Sequence, residues 1–216
     1  MGIFTLRNVV FLMLLMGAFH YFSTTKEVDN HSLILPLDTK ILAFGDSLTL
    51  GTGATPSQSY PSILSKLVHA PVINAGISGE ISAQGLERLP KLLQEHKPDI
   101  LILCHGGNDI LRKVDSAQTK ENLSKMVSLA REKGVYVLLV GVPIMGTLSF
   151  SISPLYYDVA KAHNIEIDDE SLKEIFNHEN TLKADRVHPN SEGYALMAKN
   201  IAIILSEHYH PSAKTF

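Results

Sequence analysis

The stretch ILAFGDSLTLG, residues 41–51, joins an apolar run to a polar turn. The run ends at Gly45, and Asp46 and Ser47 follow directly. A short apolar run that stops at a turn signal is typical of a strand buried on both of its faces. Ser47 is therefore either a turn residue that caps the next element or a nucleophile held at the end of a strand.

The same pattern recurs along the chain. Further apolar runs lie at 71–76, 99–107, 135–143 and 164–169. Segments with helical spacing separate them, and a last helix is predicted at 191–209. Apolar strands that alternate with amphipathic helices predict an α/β fold, with a parallel sheet covered on both faces. In such sheets the active groups gather at the carboxyl ends of the strands, near the switch point in strand order.

The composition favours one globular domain without a nucleic-acid partner. The chain has 216 residues, of which 45% are hydrophobic and 19% are charged, enough to bury one substantial core. A net charge of -3 does not suit nucleic acid, which calls for a clustered basic face. Cys104 is the single cysteine, so no internal disulfide can form, and we expect it to be a small buried hydrophobe.

The first 22 residues have the layout of an export signal. Arg7 precedes an apolar run from Val9 to Phe19, and a polar segment follows. The run is shorter than the ~20 residues that a spanning helix needs, yet no clean cleavage site follows it. We therefore predict an exported protein in which 1–22 is a signal peptide or an N-terminal membrane anchor, with 9–22 as the tether. Residues 23–39 then form a linker, and 40–210 form the domain.

Chemically useful residues follow the predicted strands or precede the last helix: Asp46 and Ser47, Gly79 in NAGISGE, Asn108 in GGND, and Asp185 and His188 in DRVHPN. Each motif alone is ordinary turn or capping chemistry. Together they suit acyl transfer, in which a base takes the proton of a serine and a carboxylate orients the base. Ser47, His188 and Asp185 would take these roles. The N–H groups of Ser47 and Gly79 and the amide of Asn108 would bind the oxyanion.

The blocks GDSL, NAGISGE, GGND and DRVH resemble those of the SGNH-hydrolase (GDSL lipase/esterase) family, and the resemblance covers 40–208. The stretch 74–112 is similar to the bacterial periplasmic acyl-CoA thioesterase I / lysophospholipase L1 / arylesterase group. The resemblance implies a flavodoxin-like three-layer α/β/α sandwich with a five-stranded parallel sheet, and hydrolysis of esters or thioesters without metal or organic cofactor. It also implies the same roles for the same residues: nucleophile Ser47, base His188, its partner Asp185, and an oxyanion hole of Ser47, Gly79 and Asn108.

Two segments depart from the family pattern. Cys104 and His105 precede GGND, where close relatives tend to have an acidic or apolar residue, and His105 either lines the pocket or is an ordinary loop residue. The segment 142–150 corresponds to a substrate-contacting loop in the subgroup but differs in sequence. Its apolar side chains would either bind an acyl chain or pack against the sheet: Ile144, Met145, Leu148 and Phe150. Asp46 is expected to position its turn by local hydrogen bonds.

The resemblance implies a small ester or thioester substrate, such as an aryl ester, an acyl-CoA or a lysophospholipid, and we expect a monomer. The leader predicts a protein of the periplasm, free or anchored in the inner membrane. Three alternatives stay open: a carbohydrate O-deacetylase on the same fold, a catalytically idle relative, and a flavodoxin-like protein that cradles a flavin phosphate at 47–55. The last would need neither Asn108 nor His188.

Overall fold

A computed structural model describes Leu35 and the ranges 38–178 and 181–209 of the chain. The leader predicted at 1–22 and most of the linker predicted at 23–39 lie outside these residues. Leu35, which falls within the predicted linker, is buried against the core. Across the described ranges, no helix combines the length and the apolar character that crossing a membrane requires.

Five parallel strands form the central sheet: β1 (Ile41–Gly45), β2 (Val72–Gly76), β3 (Ile100–Cys104), β4 (Tyr136–Val140) and β7 (Glu166–Asp168). Each predicted apolar run contains one of them, and the five-stranded parallel sheet is confirmed. The strand order is β2-β1-β3-β4-β7, so the switch point lies between β1 and β3. Every residue of β1 and β3 is buried, as expected for a sheet with helices on both faces.

Helices cover the sheet: α1 (Ser47–Leu50), α2 (Tyr60–Leu67), α3 (Ser82–His96), α4 (Gly107–Leu111), α5 (Ser116–Arg131), α6 (Pro154–His163), α7 (Ser171–Asn177) and α8 (Ser191–His208). Helix α5 packs between α3 and α6, and α2 packs on α8. The amphipathic pattern explains this packing, since α3 buries Gly85, Leu89 and Leu93 on one face. The predicted flavodoxin-like three-layer α/β/α sandwich is confirmed.

The sequence did not predict every element. The segment expected as a loop contains an antiparallel hairpin, formed by β5 (Pro143–Met145) and β6 (Phe150–Ile152). Helix α7 was also not predicted, because a helix of seven residues carries too little periodicity. Helix α8 begins at Ser191 as predicted, but Asn190 caps it by accepting the N–H of Gly193.

Asp168 ends β7 and is almost completely buried. Its Oδ1 accepts the N–H of Ser171 at 3.0 Å and so supports the start of α7. Its Oδ2 has no hydrogen-bond partner within the described part of the chain. Burial raises the pKa of Asp168, because a charged carboxylate is poorly solvated there.

We expect Asp168→Asn to gain stability relative to the wild type as the pH rises. A raised folded-state pKa means that the native protein retains a proton that the unfolded chain has released, so the contribution of Asp168 is lost as pH rises from 3.8 through the folded pKa. Asparagine keeps the acceptor and has no such loss. Urea unfolding from pH 4 to 8 would measure the difference in unfolding free energy. If the unfolding free energies of Asp168→Asn and the wild type differ by a constant amount from pH 4 to 8, the raised pKa of Asp168 is contradicted.

Candidate active site

Ser47 is the first residue of α1, directly beyond the carboxyl end of β1. The strand β1 lies so close to β3 that a Cβ atom on Gly45 would be 1.9 Å from the main-chain oxygen of Cys104. Asp46 caps α1, because its Oδ1 accepts the N–H of Leu48 at 3.0 Å, which confirms its predicted local role. This turn holds Ser47 at the edge of the sheet, with 8% of the residue exposed.

The loop before α8 carries His188 and Asp185 to Ser47. His188 Nε2 lies 3.0 Å from Ser47 Oγ, and His188 Nδ1 lies 2.8 Å from Asp185 Oδ2. The hydroxyl of Tyr194 in α8 donates to the main-chain oxygen of Thr52 at 2.8 Å, which holds this helix beside α1. The structure thus brings the predicted serine, histidine and aspartate into one hydrogen-bonded chain.

The second oxygen of Asp185 sets the direction of these hydrogen bonds. Asp185 Oδ1 accepts the main-chain N–H groups of Val187 and His188 at 2.8 and 2.9 Å. An ionised carboxylate can only accept, so Nδ1 of His188 carries the proton shared with Oδ2. Nε2 is then an acceptor for the hydroxyl of Ser47, which is the arrangement that a general base needs.

Asp185 is a surface carboxylate, with 54% of its side chain exposed. Its partial burial favours the neutral acid, but hydrogen bonds from His188 and from the N–H of Val187 lower the pKa of Asp185 overall. Asp185 therefore remains ionised at neutral pH. Its charge can stabilise an imidazolium on His188, although solvent screens part of the attraction.

Gly79 lies on the loop after β2 and lines the same cleft as Ser47 and His188. Its φ of +78° is in the left-handed region, which favours glycine. A Cβ atom at this position would meet Nη2 of Arg112 at an ordinary 3.6 Å. The left-handed backbone conformation, rather than crowding by neighbouring residues, therefore explains this glycine.

Asn108 is the second residue of α4, just beyond the carboxyl end of β3, and it bridges two groups of the site. Its Nδ2 donates to Asp46 Oδ2 at 3.2 Å and to the main-chain oxygen of Glu80 at 3.1 Å. A primary amide has two N–H groups, so an oxyanion beside Ser47 would have to share one of these bonds. Asp46 thus orients Asn108 as well as capping α1, a role that the sequence did not predict. Burial raises the pKa of Asp46.

A cleft of about 380 Å³ opens beside Ser47. Ile144, Met145 and Phe150 of the hairpin line it, and these are three of the four apolar residues for which the sequence left open acyl-chain binding or packing. Leu148 does not line the cleft, because it lies at the tip of the hairpin and is 97% exposed. Much of the remaining wall is also apolar and was not predicted: Leu48, Ile110, Leu111, Val142, Phe176 and Val187.

The hairpin of β5 and β6 is held against α7 by hydrogen bonds and by ring packing. The amide of Asn177 accepts the N–H of Phe150 at 2.7 Å and donates to the main-chain oxygen of the same residue at 2.8 Å. The rings of Phe150 and Phe176 pack with centroids 5.6 Å apart. These contacts fix one wall of the cleft, and the unpredicted helix α7 supplies both partners.

His105 does not line the cleft, so that interpretation of the sequence is not supported. The residue is fully buried, and its Nε2 lies 3.0 Å from Glu80 Oε2. It is not an ordinary loop residue either, because it belongs to a buried ionic cluster behind the site. Cys104 is buried, as predicted.

Comparison with known proteins points to hydrolases. The model of the GDSL-like lipase/acylhydrolase family matches residues 43–196. An arylesterase of Vibrio mimicus is 32% identical over an alignment of 178 residues, and the match covers 78% of this chain and 89% of the relative. Esterase TesA of Pseudomonas aeruginosa is 34% identical over an alignment of 170 residues, and the match covers 74% of this chain and 85% of the relative. Thioesterase 1/protease 1/lysophospholipase L1 of Escherichia coli K12 is 29% identical over 164 residues, 73% and 79%.

Solved structures show the same relationship. The crystal structure of TesA superposes with a TM-score of 0.69 at 31% identity, over 77% of this chain and 98% of that one. AlinE4, an esterase described as a member of the SGNH-hydrolase family, superposes with a TM-score of 0.62 at 27% identity, over 82% and 99% of the two chains. Both likenesses therefore extend over most of this chain.

Proposed function

Because this chain belongs to the GDSL-like lipase/acylhydrolase family, we propose that it is a serine hydrolase that cleaves carboxylic ester or thioester bonds through an acyl-enzyme on Ser47. The observation that carries the proposal is the chain from Asp185 Oδ2 to His188 Nδ1 at 2.8 Å and from His188 Nε2 to Ser47 Oγ at 3.0 Å. The relatives support the bond type, since their names describe an arylesterase, an esterase and a thioesterase/lysophospholipase.

In the first half-reaction Ser47 Oγ attacks the carbonyl carbon while its proton moves to His188 Nε2. The carbonyl π bond becomes an oxyanion, which the N–H groups of Ser47 and Gly79 and the amide of Asn108 would bind. His188 is then an imidazolium beside the ionised Asp185. It protonates the leaving alkoxide or thiolate as the bond to the acyl carbon breaks.

In the second half-reaction water replaces the leaving group. His188 Nε2 takes a proton from water as its oxygen attacks the acyl carbon, and the oxyanion forms in the same hole. The bond to Ser47 Oγ then breaks, His188 returns the proton to the serine, and the carboxylic acid leaves. The groups of this chain supply each proton transfer, and both half-reactions use them in the same positions.

The apolar cleft indicates the kind of acyl group. Its walls beside Ser47 are built from side chains such as Ile144, Phe150 and Phe176. A volume of about 380 Å³ exceeds what an acetyl group fills, so a longer acyl chain would bury more apolar surface there. Exposed Leu111 and Met145 at the cleft suit a substrate with a long apolar part, such as a lysophospholipid.

We expect kcat/KM to rise with acyl-chain length from acetate to hexanoate in a series of 4-nitrophenyl esters. Each methylene buried in the cleft should contribute about 0.8 kcal/mol, or about fourfold. Phe150→Ala should weaken this dependence because it removes part of the wall. Leu148→Ala is the matched control, because this exposed side chain does not line the cleft. An enzyme that prefers acetate would instead be the O-deacetylase.

We place the catalytic unit at 40–210 and propose that the protein acts as a monomer after export. The basic and apolar leader at 1–22 supports export to the periplasm, by a cleaved signal or with 9–22 kept as a tether. Separating cell fractions and sequencing the N-terminus of the mature protein would test both parts. Protein found only in the cytoplasm with an intact leader would contradict the proposal.

A further inference from the structure

A buried ionic cluster of Glu80, Arg88 and His105 lies directly behind the candidate oxyanion hole. Arg88 Nε donates to Glu80 Oε1 at 2.7 Å, and Arg88 Nη2 donates to Glu80 Oε2 at 2.7 Å. His105 Nε2 lies 3.0 Å from the same Oε2. His105 is fully buried and Glu80 nearly so, whereas 22% of the Arg88 side chain is exposed, so the cluster reaches from the interior towards the surface.

The charges of the cluster balance. His105 Nδ1 accepts the N–H of Gly106 at 3.0 Å, so the proton of a neutral imidazole lies on Nε2 and points at Glu80. The carboxylate then faces one cation, Arg88, whose guanidinium also lies 4.1 Å from the ring centroid of Phe44. Partial burial opposes ionisation, but the hydrogen bonds from His105 and Arg88 lower the pKa of Glu80 overall.

This cluster contacts the chain close to each of the three residues that would supply an oxyanion donor. Arg88 Nη2 donates to the main-chain oxygen of Gly45 at 3.2 Å, which lies two residues before Ser47, and to that of Ala75 at 2.8 Å in β2. Glu80 follows Gly79 directly.

The cluster is connected to the third donor, Asn108, in two ways. The main-chain oxygen of Glu80 accepts Asn108 Nδ2 at 3.1 Å, and His105 lies three residues before Asn108. The ring of His105 packs on α3 at Gly85, where a Cβ atom would lie 2.4 Å from Nε2. The hydroxyl of Tyr156 donates to the main-chain oxygen of His105 at 2.8 Å. Glu80 thus connects the loops of Gly79 and Asn108 through both its side chain and its backbone.

We propose that Glu80, Arg88 and His105 are positioning residues that hold the donors of Ser47, Gly79 and Asn108 at the spacing an oxyanion needs. The inference rests on the proposed hydrolase function. The inference extends that function to new residues, because none of the three side chains takes part in the proton transfers of Ser47 and His188. Removing a partner of this cluster should therefore lower turnover more than substrate binding.

Stability alone explains the cluster poorly. A buried ion pair often adds little to the free energy of folding, because desolvating both groups offsets much of their attraction. An apolar cluster would fill the same space without that penalty. The charged and hydrogen-bonded geometry does what an apolar one could not, since Arg88 fixes the main-chain oxygens of Gly45 and Ala75 in direction as well as position.

The test compares kinetics in variants that keep their fold. Glu80→Gln keeps the shape but presents N–H groups to donors, and we expect kcat to fall by about tenfold or more with KM within about threefold. Asn108→Ala, which removes a donor outright, sets the scale at about 100-fold. Val127→Ala, in the buried face of α5, is the control for lost stability and should keep the wild-type kcat. Phosphonylation of Ser47 by a fluorophosphonate should slow in parallel with kcat.

A second pair of variants isolates His105. His105→Leu removes one donor to Glu80 but leaves the pair with Arg88, so we expect kcat to fall by about threefold to tenfold. His105→Gln retains an N–H for Glu80 and should restore turnover to within about twofold of wild type. If Glu80→Gln does not fold, the kcat values of His105→Leu and His105→Gln test the positioning role by themselves.

Three results separate the positioning role from the hydrolase function on which it rests. An active wild type whose kcat is unchanged in Glu80→Gln and His105→Leu would overturn the positioning role and leave the hydrolase intact. The positioning role is also overturned if Glu80→Gln and His105→Leu lose activity only in proportion to their loss of melting temperature. Val127→Ala, the control for lost stability, would then lose activity in the same proportion. A folded wild type that hydrolyses no ester would overturn the hydrolase, and the positioning role with it.

Discussion

Ser47→Ala is expected to lower kcat on 4-nitrophenyl esters by a factor on the order of 10⁴ or more. No other described hydroxyl lies 3.0 Å from His188 Nε2, so no acyl-enzyme can form once the oxygen of Ser47 is gone. His188→Ala should cost about as much, because members of such a unit act together and their effects do not add. Stopped-flow or steady-state release of 4-nitrophenolate measures both variants.

The control for this prediction is a melting temperature that shows that Ser47→Ala keeps its fold. Ser47 is buried at the start of a short helix, and alanine fits the same backbone, so the melting temperature should change little. The double variant Ser47→Ala with His188→Ala should be no slower than either single variant by more than about threefold. Residual turnover above about 1% of wild type in Ser47→Ala would show that another group is the nucleophile.

Asp185→Asn is expected to lower kcat by about 10³-fold to 10⁴-fold, more than Asp185→Ala. Two main-chain N–H groups point at Oδ1, so the oxygen of an asparagine will take that position. Its NH₂ group then faces Nδ1 of His188, which must become an acceptor. The proton of the imidazole moves to Nε2, and the histidine can no longer accept the proton of Ser47.

Alanine at 185 leaves the tautomer of His188 free, so a fraction of the enzyme still holds a competent base. We expect Asp185→Ala to lose about 10-fold to 100-fold, because the exposed aspartate is screened by solvent and contributes less charge stabilisation than a buried one would. Comparing kcat for the two variants at pH 8 tests this order. Equal losses, or a greater loss in Asp185→Ala, would contradict the tautomer account.

The fold could be predicted because apolar strands leave a strong signal. The sequence runs that form β1 and β3 are continuous and apolar, which is the pattern expected of a strand buried on both faces. The hairpin and α7 could not be predicted in the same way. The two strands of the hairpin have three residues each and α7 has seven, too few to show a period. Tertiary contacts define them instead, such as the two hydrogen bonds between Asn177 and Phe150.

The site was predictable to the extent that its residues sit at strand ends in known motifs, and the structure brings Ser47, His188 and Asp185 together as expected. Interactions between distant side chains left no such signal. Glu80 and His105 are 25 residues apart and meet only because β2 and β3 lie on either side of β1 in the sheet. For the same reason the sequence could not show that Leu148 lies outside the cleft or that Phe176 lines it.

The central claim is that Ser47 is an activated nucleophile, and reaction with a fluorophosphonate tests it most directly. Peptide mass spectrometry of the treated wild type should find the adduct on Ser47, and His188→Ala should abolish it because no base removes the serine proton. Adduct on Ser47 in the wild type alone is the result that the account predicts. A folded wild type without adduct, or adduct on Ser47 that persists in His188→Ala, would contradict it.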